Sequence, residues 1–272
     1  MRISFLLKLG FISGAVGVLA VTLIASGALD EKVGPFIGGF EDGQIRLTEW
    51  QLDDAGDCSF EPVAKPGNPE QKALKIISPS KGRCEVLPWV GNTVLGRLVR
   101  EPFGKERWYS FSVYLPDNWE INPENEVIAQ WHGSKDVFFF EKGGRGPPLA
   151  LRIVGDQWRV TFGWDEDLVS KDGAKAYRIA TEQPITPGRW TDWLFQVNWS
   201  YQAGHGLTRV WMNGDKVVDR SGPNAYNDFR GVYLKLGSYH PGVGRTLYLD
   251  DIGVADRRSE LPIRIESLSL SE

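Results

Sequence analysis

Several short stretches of the chain set polar or titratable side chains two residues apart. Arg83 and Glu85 flank Cys84, and Gln130 and His132 flank Trp131. Tyr233, Lys235 and Tyr239 fall in one run that includes Gly237. In an extended strand, residues two apart point to the same side, so each stretch presents a small functional face. Gln196 and Asn198 make a similar pair, and Trp211 adds a ring on a neighbouring run. Amides, phenols, an imidazole and a few charges suit a sugar polymer. Hydroxyls need donors and acceptors, pyranose faces stack on rings, and a uronate carboxylate needs a cation or an amide. One such pair alone is an ordinary wet sheet face whose members satisfy one another. Their accumulation points to a binding groove.

Other chemistries find no foothold. There is no phosphate-cradling Gly-rich Walker sequence, no His-Glu-x-x-His helix and no Gly-x-Ser-x-Gly elbow. A glycoside hydrolase needs two carboxylates facing one groove. Asp165-Glu166-Asp167 comes nearest and reads as a solvated loop, with calcium ligation the minor option. Asp250-Asp251 sits in an apolar strand, so one of the two acids is expected to point inward, to a buried hydrogen bond or to calcium. Structural calcium is the one cofactor this leaves open.

The elements that must position these residues are strands. Tyr109, Phe111 and Val113 alternate with Ser110, Ser112 and Tyr114. The same period recurs in Trp158-Val160-Phe162-Trp164, in Trp193-Phe195-Val197-Trp199 and in Val232-Leu234-Leu236. Asn213-Gly214, between Val210-Trp211-Met212 and Lys216-Val217-Val218, predicts a tight hairpin, because both turn positions tolerate positive φ. The 272 residues hold Gly 31, Pro 16 and Trp 11 against Met 2, a turn-rich and β-rich composition. No repeat or linker divides residues 30–272. An antiparallel sandwich in one domain is the expectation.

Residues 1–29 read as an address. Arg2 and Lys8 precede an uncharged run, Leu9 to Leu29, about as long as a membrane span, and Ser26-Gly27-Ala28 offers a cleavage site. A cleaved signal peptide and a retained membrane anchor both fit, and both place the body outside the cytoplasm. Without Arg2 and Lys8 the chain keeps 29 basic against 35 acidic residues. That balance argues against general binding of nucleic acid, which needs a basic footprint. Export also favours pairing Cys58 with Cys84, the two cysteines present. Such a bridge contributes roughly 3 kcal/mol in the chain-entropy model.

Together, Arg83-Cys84-Glu85, WYSFSVYLPDNW, IAQWHG, GRWTDWLFQVNWS, VWMNGDKVV, GPNAYND, YLKLGSYH and LYLDDIGV resemble the heparinase I-like polysaccharide lyases, a group that includes glucuronan lyases. The resemblance runs from about Phe40 to Val254. It implies a β-jelly roll of two curved antiparallel sheets with an acidic polysaccharide across the concave face. It also implies that His132, from the Gln-x-His segment, and Tyr239, from Lys-x-Gly-x-Tyr, act in elimination, with Lys235 and Gln130 beside them. The basic loops of the heparin enzymes have no counterpart in this acidic body, which favours an unsulfated uronan.

Elimination suits these residue types. The proton alpha to a uronate carboxylate is weakly acidic until that carboxylate is neutralised, for which Lys235, Arg83 and Gln130 are the candidates. The ordinary imidazole pKa lies near neutral pH, which suits His132 as the base, and Tyr239 can protonate the leaving oxygen. In the variant reading Tyr239 fills both roles, its phenol pKa lowered by a cation such as Lys235. No cofactor is required. The rival readings are a non-catalytic lectin on the same fold and a hydrolase.

Overall fold

The computed structural model describes residues 35–263 apart from Gly56, 91–96, 99–100, Pro102, 134–140, 142–145 and 171–175. The signal or anchor expected over residues 1–29 lies outside the described residues. Strands β1 to β16, numbered along the chain, form two antiparallel sheets. The first runs, in spatial order, β14 (Asp215–Ser221), β13 (Leu207–Met212), β12 (Trp190–Asn198), β7 (Glu106–Tyr114), β16 (Arg245–Ala255), β4 (Asn68–Ser78) and β3 (Ser59–Lys65). β1 (Phe36–Gly38) pairs with the far end of β16, beyond the reach of β4. The second sheet runs β11 (Ala176–Pro184), β10 (Gln157–Trp164), β9 (Leu149–Gly155), β8 (Asn122–His132), β15 (Tyr233–Tyr239), β5 (Arg83–Val90) and β2 (Trp50–Asp54), with β6 (Arg97–Leu98) on β5. The chain passes between sheets at β1–β2, β2–β3, β4–β5, β6–β7, β7–β8, β11–β12, β14–β15 and β15–β16. This is the all-β jelly-roll sandwich expected from the sequence.

The alternation in the sequence becomes the core. Tyr109, Phe111, Val113, Trp193, Phe195 and Val197 of the first sheet are fully buried, facing Trp131, Trp158 and Val160 of the second. Trp131 is the centre of this contact. Its ring lies 4.6 Å from that of Phe195 and 5.1 Å from that of Tyr109, with Trp199 at 6.2 Å. Trp158 meets Trp193 edge-on at 5.5 Å. Each such aromatic removes a large apolar area from water, and the tilted and edge-on geometries add to that burial. The Asn213-Gly214 hairpin forms, with φ of 50° and 94° at its two turn residues.

Cys58 and Cys84 are bonded, with their Cα atoms 5.5 Å apart. Cys58 immediately precedes β3 of the first sheet and Cys84 lies on β5 of the second, so the bridge ties the sheets together. Because Cys84 points inward, its neighbours Arg83 and Glu85 are held facing outward.

Candidate active site

Backbone register gathers seven of the predicted residues on the outward face of the second sheet. Tyr233 stands opposite His132 and Lys235 opposite Gln130 across β15 and β8. On the other side of β15, Gly237 stands opposite Glu85 and Tyr239 opposite Arg83. On β2, Asp53 stands opposite Glu85. Directly opposed residues share a face, so His132, Gln130, Tyr233, Lys235, Tyr239, Arg83, Glu85 and Asp53 form one contiguous group. His132 and Tyr239 lie at its two ends, with the charged residues between.

Gly237 makes the middle of this group possible. Its φ is +150°, and a Cβ there would lie 2.0 Å from the Cys84 carbonyl oxygen. With no side chain at this point, the Glu85 carboxylate reaches across β15 to Gln130, whose Nε2 donates to Glu85 Oε1 at 2.5 Å. Glu85 Oε2 lies 3.3 Å from Arg83 Nε and 3.6 Å from Lys235 Nζ. Lys235 Nζ in turn meets Asp53 Oδ2 at 2.6 Å, which also sits 3.5 Å from an Arg83 nitrogen. The group is layered. Glu85, Gln130 and Lys235 are 0%, 1% and 4% exposed, whereas Arg83, His132, Tyr233 and Tyr239 are half-buried and accessible.

Burial pushes the Glu85 carboxyl above its ordinary range, against the opposing pull of Lys235, Gln130 and Arg83. At the Tyr239 end, the Arg83 guanidinium lies 4.1 Å from the phenol ring centre, and the His240 ring packs 3.8 Å from that ring. At the other end, His132 Nδ1 is 2.6 Å from the Gly133 carbonyl oxygen. A carbonyl only accepts, so Nδ1 carries the proton and Nε2 is the basic nitrogen.

Several expectations need correction. Gln196, Asn198 and Trp211 lie on β12 and β13 of the first sheet, away from this group. Gln196 Nε2 donates to Glu106 at 2.8 Å, Asn198 stands opposite Leu207 at the strand end, and Trp211 stacks on Trp108 beside Leu194, Ala255 and Leu261. Period-two reading fixes a side chain's direction along its own strand and says nothing of which sheet the strand joins. Lys235 was expected to neutralise a uronate, but its ammonium is buried and held by Asp53 and Glu85; the accessible cation beside Tyr239 is Arg83. Glu85, expected to touch substrate, lies beneath the surface.

The acidic pairs also find protein partners. A bulge between Asp250 and Gly253, with Asp251 at φ +52°, leaves both acids on the outward side, where Lys65 Nζ lies 2.5 Å from Asp250 and 3.2 Å from Asp251. The expected inward acid is absent for that reason. Asp165 accepts from the Asp167 backbone at 3.0 Å and Glu166 from the Ala203 backbone at 2.9 Å. Among the described residues no three His, Cys, Asp or Glu side chains are grouped to hold a metal ion. Asp53 and His240 are the site residues that sequence reasoning missed. β2 carries little apolar alternation to mark it, and His240 follows a strand end in a left-handed turn (φ 59°) that no pattern announces.

A family model described as polysaccharide lyase matches residues 58–253, a span that holds every residue of this group except Asp53. The chain belongs to the polysaccharide lyase family. This lyase is similar in structure to an endo-β-1,4-glucuronan lyase from the fungus Trichoderma reesei, at TM-score 0.63 and 16% identity over 86% of this chain and 100% of that one. It is similar also to a family 7 alginate lyase crystallised in complex with substrate, at TM-score 0.53 and 14% identity over 80% and 96%. An alginate lyase from Pseudomonas aeruginosa matches at TM-score 0.51 and 16% identity over 78% and 100%. At these identities the likeness is one of fold. No curated protein matches the lyase.

Proposed function

We propose that this polysaccharide lyase cleaves an unsulfated uronic-acid polymer by β-elimination, at the outward face of the second sheet. The observation that carries the reading is the contact between Arg83 and Tyr239. It sets an accessible cation, able to neutralise a uronate carboxylate, against an accessible phenol able to move a proton. Neutralising the carboxylate stabilises the enolate-like state that forms as the alpha proton leaves. His132 Nε2 takes that proton and the Tyr239 hydroxyl protonates the glycosidic oxygen as the bond to C4 breaks. The electron pair of the C–H bond becomes the new C4–C5 double bond. In the variant, Tyr239 handles both protons from its place beside Arg83. These steps run on side chains alone. The glucuronan and alginate lyases named above, and the absence of a basic loop set, support an unsulfated uronan over heparin. The polarity of residues 1–29 and the Cys58–Cys84 bond support export.

The deciding experiment is ultraviolet absorbance of the unsaturated product across a panel of uronans, with parallel digestion in heavy-oxygen water. Elimination adds no water, so the new chain ends carry no label. Incorporated label selects hydrolysis, and retention on a uronan column without any cleavage selects a carbohydrate-binding role.

A further inference from the structure

Glu85 is an acid held away from water between two cations, next to the place where a further negative charge must arrive. The polar and charged groups around it come from every neighbouring strand: Arg83 on its own strand, Asp53 on β2, Lys235 on β15 and Gln130 on β8, with Tyr239 beyond, opposite Arg83. Counted as charges with both acids ionised, Arg83 and Lys235 balance Asp53 and Glu85, and the group is neutral. A uronate seated on Arg83 makes three carboxylates against two cations in a poorly solvated place. The two existing acids are not equivalent. The Asp53 side chain is 27% exposed, whereas that of Glu85 is 1% exposed. The two Glu85 oxygens differ as well. Oε1 accepts from Gln130, while Oε2 is buried with no hydrogen-bond partner among the described residues.

We propose that Glu85 is a positioning residue that takes up one proton from the solvent, on Oε2, when a uronate binds at Arg83. This rests on the uronan lyase reading above. Protonation removes the third negative charge and frees Arg83 to face the incoming carboxylate. Oε1 keeps its hydrogen bond, so the Gln130 amide stays oriented. The burial that already raises the Glu85 carboxyl lowers the cost of the step. Binding and proton uptake are then linked, and each lowers the free energy of the other.

The test is calorimetric titration of the full chain carrying Tyr239→Phe, which keeps the complex intact, with polyglucuronate and alginate oligosaccharides. Buffers of different ionisation enthalpy report the protons exchanged. The expected result is uptake approaching one proton per bound uronate site, with affinity weakening by up to about tenfold per pH unit as pH rises through the Glu85 transition. Glu85→Gln in the same background abolishes the uptake and flattens the pH dependence of affinity. Uptake that persists in Glu85→Gln, and disappears instead in His132→Asn, overturns the proposal. Should Glu85→Gln not fold, binding without uptake in Tyr239→Phe alone overturns it. A chain that binds no uronan and cleaves none overturns the proposal together with the reading beneath it; one that cleaves uronan without proton uptake overturns the proposal alone.

Discussion

The guanidinium of Arg83 lies 4.1 Å from the centre of the Tyr239 ring, and the two residues stand directly opposite each other on β5 and β15. A cation–π contact needs the ring and not the hydroxyl. Tyr239→Phe therefore keeps the stack and removes only the group that transfers a proton. We expect kcat to fall by about two to four orders of magnitude, with little change in uronan affinity or thermal midpoint. Steady-state absorbance kinetics alongside a melting curve check this. A folded variant with near-normal turnover removes Tyr239 from the chemistry and returns both proton transfers to His132.

Lys235→Met takes the ammonium from between Asp53 and Glu85 and leaves a buried carboxylate with one fewer partner. Breaking a buried ion pair on one side costs about 3 kcal/mol, which urea unfolding should register. Adding Glu85→Gln should restore part of that loss, because the stranded charge goes with it. Strict additivity of the two substitutions would show that they do not interact.

Removing the disulfide, by Cys58→Ser with Cys84→Ala, should lower stability by roughly 3 kcal/mol. It should also lower activity at temperatures where the variant remains folded, since Cys84 sets the outward phase of Arg83 and Glu85. Non-reducing mass spectrometry of the wild-type chain should find no alkylatable thiol. An unbridged variant with full activity would limit the bond to a stabilising role.

Another buried acid contributes to the pH dependence of stability. Glu126 on β8 meets Arg245 on β16 at 2.8 Å and accepts from Ser238 at 3.0 Å. Burial nevertheless pushes it up from the ordinary 4.5 to about 7, the effect of Arg245 and Ser238 being smaller and opposite. A carboxyl whose pKa is higher folded than unfolded contributes stability below the unfolded value and loses it as pH rises through the folded one. Wild-type stability should therefore decline from about pH 4.5 to about pH 7 through this group. In Glu126→Gln that slope should flatten, with the Glu120 carbonyl and the Trp119 ring still holding Arg245. Urea midpoints across this range measure it, and an unchanged slope would assign the titration elsewhere.

Much of this was legible in the sequence because strand periodicity carries so much of it. Tyr109-Phe111-Val113 and Trp193-Phe195-Val197 mark the inner face of the first sheet and Trp158-Val160 that of the second, and even spacing along a strand marks Arg83, Gln130, His132, Lys235 and Tyr239. What periodicity does not carry is strand order and depth. Gln196 and Asn198 show the same alternation as Gln130 and His132, yet β12 belongs to the other sheet. Lys235 and Arg83 are both cations on the same face, and spacing along a strand does not tell that Lys235 is buried while Arg83 stays accessible. Asp250 and Asp251 broke the alternation because a bulge adds a residue without changing the composition around it.

Gln130 and His132 are separated on β8 by Trp131, whose ring is wedged among Tyr109, Phe195 and Trp199 of the opposite sheet. The floor of the candidate site is thus the reverse side of the most crowded part of the interior. Floor and interior have to melt as one cooperative unit. Heat inactivation should coincide with global unfolding, and the backbone amides of Gln130 and His132 should be among the slowest in the chain to exchange with deuterium.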